Sequence, residues 1–172
     1  MSKTLVIYYS RKSQNYVNGS ILDLKKGNTE IVAEFIKELA GADLFEVETV
    51  NDYSEDYTEC TVEAKEELKN NSRPELKRYI DSIADYDNIV VAGPCWWGTY
   101  PVAVFTQLEK LDFTGKNVYP VMTHEGSGLG NSVRDLTKYC KGARIGRGLA
   151  VHGADAALSK AAVDKWIREN IK

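Results

Sequence analysis

Short apolar segments alternate along the chain with segments whose apolar residues recur at helical spacing. Residues 3–9 and 88–93 are continuous runs rich in β-branched residues, without an apolar–polar alternation. Such runs are typical of strands in parallel sheets that helices cover on both faces. Residues 43–50, 117–123 and 144–151 supply three further predicted strands. Because strands and helices alternate, the sequence predicts an α/β fold, namely a three-layer, doubly wound, five-stranded parallel sheet.

End signals and apolar stripes mark the predicted helices. One opens after Gly27 and ends at Gly41, and a second helical stretch is predicted to begin at Pro74. Pro120 cannot donate a ladder hydrogen bond, so it favours an edge position for its strand. The polar stretch between Ser10 and Gly27 is longer than a typical strand-to-helix connection. The remaining predicted helices lie in the later part of 51–73 and over residues 102–111, 131–140 and 159–170.

Length, charge and cysteine content limit the classes of protein. A chain of 172 residues without an internal linker is expected to form a single domain over residues 1–172. Its net charge of -3 argues against nucleic-acid binding, which needs a basic surface. The apolar runs are too short to span a bilayer, so no membrane association is expected. Three cysteines without a CxxC motif predict reduced thiols and a cytoplasmic protein.

The loops that follow the first, third and fourth strands contain the candidate binding residues, because ligands of open α/β sheets bind beyond the carboxyl ends of the strands. The first loop combines hydroxyl and amide side chains with a helix N-terminus, as phosphate sites do. A solvated loop that ends in an ordinary helix cap explains this loop equally well. The second loop holds Trp96 and Trp97, and at least one indole is expected to be exposed for stacking on a flat ligand. The third loop holds Gly126, Gly128 and Gly130, whose backbone allows close approach.

Three sequence blocks carry a resemblance over essentially the whole chain. They are Tyr8-Tyr9-Ser10-Arg11 with Gly27-Asn28-Thr29, then Gly93-Pro94-x-Trp96-Trp97-Gly98-x-x-Pro101, then Thr123-His124-Glu125-Gly126-Ser127-Gly128. With these blocks the chain resembles the flavodoxin family, in the bacterial branch that has Trp-Trp-Gly and His-Glu-Gly-Ser-Gly loops. The resemblance implies the strand order 2-1-3-4-5, which is that of flavodoxin itself, and FMN as the cofactor.

The resemblance also implies which residues bind the cofactor. Ser10 and Thr29 are expected to bind the phosphate, with Asn15 and Asn28 less firmly assigned. The chain departs from the family pattern because residues 11–26 interrupt the phosphate loop. Either this excursion returns to the same site, or residues 11–16 supply extra phosphate ligands. The expected cofactor-binding residues are Ser10, Arg11, Asn15, Asn28, Thr29, Pro94, Trp96, Trp97, Gly98, Thr123, His124, Gly126, Ser127 and Gly128.

Other chemistries on this architecture are disfavoured. A tyrosine phosphatase of the Cys-x5-Arg type fails because Pro101 stands where Cys95 would need an arginine. An α/β-hydrolase needs GxSxG, and the glycines around Ser127 are out of register. No acid–base catalyst is expected, and no metal site.

The resemblance implies a low-potential one-electron carrier, an oxidoreductase of electron transport that serves redox partner proteins, namely a reductase and an acceptor. The chain is expected to be a monomer or a weak homodimer. One alternative is an FMN-dependent NAD(P)H:quinone reductase. Another is a non-redox FMN-binding regulatory module, because this fold accommodates all three functions.

Overall fold

The computed structural model describes residues 2–172. Its strands are β1 (Thr4–Tyr8), β2 (Ser13–Val17), β3 (Ser20–Leu24), β4 (Asp43–Glu46), β5 (Asn88–Pro94), β6 (Asn117–His124), β7 (Arg144–Ile145) and β8 (Leu149–His152). Its helices are α1 (Asn28–Ala40), α2 (Tyr57–Lys69), α3 (Val102–Leu108), α4 (Ser132–Tyr139) and α5 (Lys160–Asn170), with a 3-10 helix at Gly153–Leu158.

The main sheet is parallel, with β4, β1, β5 and β6 side by side and with β7 and β8 following one another along the outer side of β6. The α/β fold and the order 2-1-3-4-5 are therefore confirmed, with β7 and β8 together in the fifth position. Leu5 and Ile7 point to the core under α3 and α4, whereas Val6 and Tyr8 point to the core under α1 and α5. Burial on both faces explains why β1 is apolar at consecutive positions.

Pro120 lies inside the sheet, and the prediction that it marks an edge is wrong. It pairs with Val91 of β5 on one side. On the other side, Gly146 donates its N–H to the carbonyl of Val118 (2.8 Å), and pairing resumes only at Val121 with Leu149. The fifth strand is thus interrupted where β6 has no N–H to offer, which accommodates the proline.

The helix predicted from Pro74 does not form. Residues 74–83 run as an irregular segment whose apolar side chains still reach the core, with Leu76 and Ile83 both buried. The buried amide of Gln107 accepts a hydrogen bond from the N–H of Ile80 (2.8 Å) and donates one to its carbonyl (2.9 Å). A side chain of α3 therefore satisfies backbone groups that a helix would otherwise have paired.

A β-hairpin occupies part of the long polar excursion after β1. Strands β2 and β3 pair in antiparallel fashion across the turn Asn18-Gly19. Both turn residues have positive φ, 53° and 89°, as a type I′ turn requires. Asn-Gly is the preferred pair for this turn, so the dipeptide was the signal that the sequence analysis missed.

No helix within residues 2–172 is long and apolar enough to cross a membrane. Cys60, Cys95 and Cys140 are all free thiols, as expected.

Candidate functional site

Two adjoining cavities form a cleft at the carboxyl ends of β1, β5 and β6. The first, here the α1 cavity, has about 150 Å³ and lies at the start of α1, and the second, the α2 cavity, has about 270 Å³ and lies against α2. The walls of the α1 cavity include nine predicted residues: Arg11, Asn15, Asn28, Thr29, Pro94, Trp96, Thr123, His124 and Ser127. The walls of the α2 cavity add Trp97. Ser10, Gly98, Gly126 and Gly128 lie outside both linings.

Two larger grooves have volumes of about 360 and 410 Å³, and the first of them includes Ser10 and shares Arg11 with the cleft. Five carboxylates and no basic residue line the second groove, whereas five carboxylates and three basic residues, Arg11, Lys12 and Lys77, line the first. The walls of the cleft hold one carboxylate, that of Glu125, and therefore repel an anionic ligand less than either groove does, so the cleft is the better candidate for a phosphorylated ligand.

The first turn of α1 provides free backbone donors to the α1 cavity. The N–H of Glu30 donates to Ser10 Oγ (3.0 Å), and the N–H of Ile31 donates to the carbonyl of Gly27 (3.2 Å). The N–H groups of Asn28 and Thr29 have no intrahelical acceptor, because they precede the fourth residue of the helix. Together with the positive end of the helix dipole, they fit an anion. The side chain of Ser10 acts here as a helix cap.

The excursion from residue 11 to residue 26 returns to the same site. A Cβ placed on Gly27 would lie 2.1 Å from Ser10 Oγ and 2.6 Å from the carbonyl oxygen of Arg11. The two halves of the phosphate loop are therefore in direct contact, and the first alternative of the sequence analysis is favoured. The guanidinium of Arg11 donates to the carbonyls of Gln14, Ser54 and Glu55, so it braces the loop.

Two buried threonines join the ends of the first and third loops. Thr29 Oγ1 and Thr123 Oγ1 lie 2.8 Å apart, and both side chains are almost fully buried. The hydroxyl of Thr29 is therefore engaged in fixing α1 against β6.

The tryptophan loop splits its two indoles between interior and surface. Trp96 packs edge-on against Tyr9 and Tyr53, each with ring centroids 5.2 Å away. Trp97 is 51% exposed, so the expectation of one exposed indole is confirmed. Its Nε1–H donates to the carbonyl of Thr61 on α2 (2.9 Å). Trp97 has φ +54°, a strained conformation for a bulky residue and one that clusters at functional sites.

The same loop is fastened to the start of α4. The carbonyl of Gly98 accepts the N–H of Asn131 (2.7 Å), and Thr99 Oγ1 donates to the carboxylate of Asp135. A Cβ on Gly130 would lie 2.4 Å from the Gly98 oxygen. This glycine allows the close contact between the second and third loops.

Two thiols line the α2 cavity. Burial raises the pKa of the Cys60 thiol to about 11 and also raises the pKa of Cys95. Both thiols are therefore protonated at neutral pH, and they serve as small packed groups. Cys60, Thr61 and Ala64 of α2 are cavity residues that the sequence analysis missed, because the acidic helix showed only a weak apolar stripe.

The third loop starts with His124, which lines the α1 cavity and lies next to His152 at the end of β8. His124 and His152 meet edge-on, with ring centroids 5.6 Å apart. His124 Nδ1 accepts the N–H of Gly126 (2.9 Å). Glu125, which the sequence analysis did not include among the binding residues, lies with Oε2 at 3.6 Å from His152 Nε2. The same oxygen accepts the N–H of Asn18 at the hairpin tip (3.0 Å).

We expect His124 to make the protein less stable in mild acid. Partial burial, followed by the neighbouring His152, lowers the pKa of His124, and Glu125 only partly offsets this. The unfolded chain therefore takes up a proton near pH 6.5 that the folded chain accepts only at lower pH, so stability falls as the pH drops below about 6.5. Urea unfolding between pH 5 and 7 measures this slope. In a His124→Asn variant, which keeps an acceptor for Gly126, the slope should be shallower; an unchanged slope contradicts the assignment.

Comparison with known proteins identifies the family. A family model described as flavodoxin matches residues 23–170. The chain belongs to the flavodoxin family. No curated protein matches the chain.

Solved structures share this fold over nearly the whole chain. A candidate flavoprotein from Bacteroides uniformis ATCC 8492 is 27% identical, with 97% of this chain and 98% of that chain covered and a TM-score of 0.75. A second, from Bacteroides eggerthii DSM 20697, is 24% identical, with 98% of both chains covered and a TM-score of 0.77. A flavoprotein from Lactobacillus acidophilus NCFM, solved in complex with FMN, is 20% identical, covers 96% of this chain and 99% of its own, and has a TM-score of 0.65.

The residues of the cleft fit a phosphorylated aromatic ligand. The free N–H groups of Asn28 and Thr29 suit a phosphate monoester, and the aromatic wall formed by Trp96, Trp97 and Tyr57 suits a planar ring. Cavities of this combined size are in the range that encloses one small organic ligand.

Proposed function

We propose that this flavodoxin binds one FMN in the cleft, with the phosphate at the N-terminus of α1 and the ring system beside the tryptophan loop. Asn28 and Thr29 would hold the phosphate through their backbone N–H groups. Pro94, Trp96 and Trp97 would border the ring system. Bound FMN would supply the redox chemistry.

We further propose that the protein is a low-potential electron carrier. The observation that carries this proposal is Trp97, which is half-exposed at the mouth of the α2 cavity and bonded to the acidic helix α2. A carrier needs the edge of its cofactor near the surface, and the exposed acids of α2 would attract a basic partner. Glu59 and Glu66 are the exposed acids on this helix that we assign to docking. The proposed partners are a separate reductase and a separate acceptor protein.

The exclusion of water from the cleft supports a low reduction potential for the bound flavin. Tyr9, Tyr53 and Trp96 form an aromatic cluster on one side of the cleft, and a buried, partly apolar site disfavours added negative charge. The net charge of -3 acts in the same direction. Three free thiols suit a reducing cytoplasm, which is the compartment we propose.

Purified protein should be yellow and should release FMN, not FAD, on denaturation. Reduction should require an added flavodoxin reductase, and incubation with NADPH and a quinone alone should give no steady turnover. Identification of the released flavin by chromatography and an assay of NADPH oxidation check both points. A colourless protein that ignores added FMN would contradict the cofactor assignment, whereas rapid NADPH–quinone turnover would establish the reductase alternative.

A further inference from the structure

The hairpin β2–β3, residues 13–24 and here called the strap, crosses the cleft from α2 to the third loop. Near its start, Gln14 Oε1 accepts the N–H of Tyr57 (2.8 Å), and the ring of Tyr16 stacks on that of Tyr57 at 6.1 Å. At its tip, the N–H of Asn18 donates to Glu125 Oε2 (3.0 Å). Because Asn15 and Tyr16 also line the α1 cavity, the strap forms one of its walls.

Glu125 is placed at the phosphate end of this cavity. A Cβ placed on Gly153 would lie 2.5 Å from Glu125 Oε1 and 2.8 Å from Asn28 Nδ2. The carboxylate and the first residue of α1 therefore face each other across a glycine that leaves room for both. The bridge from Glu125 to Asn18 therefore begins close to the side chain of the first residue of α1.

The charges around this space favour a ligand of limited length and charge. Glu125 is the one carboxylate that lines the α1 cavity, whereas Glu30, in the first turn of α1, lines the 360 Å³ groove. Of the basic groups nearby, Arg11 is committed to backbone carbonyls, and His152 faces Glu125 itself. His124 is kept neutral at pH 7 by burial, which lowers its pKa. A first phosphate has its own donors, but a second phosphate beyond it would meet a carboxylate.

We propose that the bridge between Glu125 and the strap is a specificity determinant that admits a flavin ending in a monophosphate and rejects one that continues through a diphosphate. This inference rests on the proposed binding of FMN. FAD extends beyond the same phosphate, so its adenylate half would have to displace the strap and approach Glu125. The strap excludes it by occupying the path, and the carboxylate excludes it by like-charge repulsion.

The test compares the dissociation constants of FMN and FAD for apoprotein variants, by flavin fluorescence titration. The wild type should prefer FMN by at least a hundredfold. Glu125→Gln keeps an acceptor for Asn18 but removes the charge, and its preference should fall by roughly tenfold, as expected for the removal of like-charge repulsion. Glu125→Ala should lower the preference for FMN over FAD further. In Glu55→Gln, a charge-matched control whose side chain is exposed, the preference should be unchanged.

A strap deletion tests the steric part directly. The ends of the excursion touch at Gly27 and Arg11, so a two-glycine link in place of residues 13–24 should close the loop. The deletion should bind FAD more tightly than the wild type does. The proposal is overturned if the deletion and both Glu125 variants keep the wild-type preference for FMN over FAD. If the deletion does not fold, as judged by circular dichroism, the two Glu125 variants decide alone. Failure of the wild type to bind either flavin would instead refute the proposed function.

Discussion

A Gly27→Ala variant is expected to lose tight FMN binding. Gly27 has ordinary extended angles, φ -66° and ψ 152°, so alanine brings no backbone strain. Its methyl group, however, would lie 2.1 Å from Ser10 Oγ and 2.6 Å from the carbonyl oxygen of Arg11. The strand end and the helix start must therefore separate, which moves the N–H groups of Asn28 and Thr29.

The affinity for FMN should fall by roughly a hundredfold or more, since each hydrogen bond to a charged group is worth about 1.5–3 kcal/mol and two are disturbed. The affinity for riboflavin, which has no phosphate, should fall much less. The free energy of unfolding should drop by about 1–3 kcal/mol from overpacking. Isothermal titration with both flavins, together with urea unfolding, measures these changes.

Gly115→Ala serves as the control for Gly27→Ala. A Cβ there meets no atom within 4 Å, although φ is +76°, so it should cost stability through strain alone and leave the FMN affinity unchanged. Equal losses of FMN and riboflavin affinity in Gly27→Ala would show that the residue acts through the fold as a whole, not through the phosphate loop.

The sheet was predictable because its strands are buried on both faces. Leu5, Val6 and Ile7 are all nearly inaccessible, so the sequence shows a continuous apolar run that differs from any surface helix. A helix was wrongly predicted after Pro74 because Leu76, Ile80 and Ile83 have helical spacing. Spacing reports which side chains face the core, but it does not reveal that Gln107, distant in sequence, supplies the backbone partners.

Candidate site residues could be named from the sequence where one short block holds them, but not where two distant loops come into contact. The hydroxyl and amide residues around Asn28 and the exposed Trp97 could be assigned from their own sequence blocks. The cap role of Ser10 depends on a hydrogen bond across twenty residues, and the bridge from Glu125 to Asn18 joins residues 107 positions apart. No periodicity signals such contacts, because they arise only when the strap folds back over the cleft.

A Gly130→Ala variant is expected to disturb the tryptophan loop from a position outside it. Gly130 has φ +49°, where a side chain costs about 1–2 kcal/mol. Its Cβ would also lie 2.4 Å from the carbonyl oxygen of Gly98, which is held by the N–H of Asn131. Relief of that contact requires the turn that carries Trp97 to move away from α4. Both FMN and riboflavin should then bind more weakly, by roughly a hundredfold, since the ring and not the phosphate loses its wall.

Gly128→Ala is the control for Gly130→Ala, because it brings backbone strain into the same loop without a close contact. Gly128 also has positive φ, at +60°, but a Cβ there meets nothing within 4 Å. It should therefore lose about 1 kcal/mol of stability and leave the Trp97 indole in place. Tryptophan fluorescence of the apoproteins should shift in Gly130→Ala and not in Gly128→Ala, because only the former displaces the indole of Trp97 from its bond to Thr61. Identical tryptophan spectra for the two variants would mean that the contact between Gly130 and Gly98 does not position the tryptophan loop.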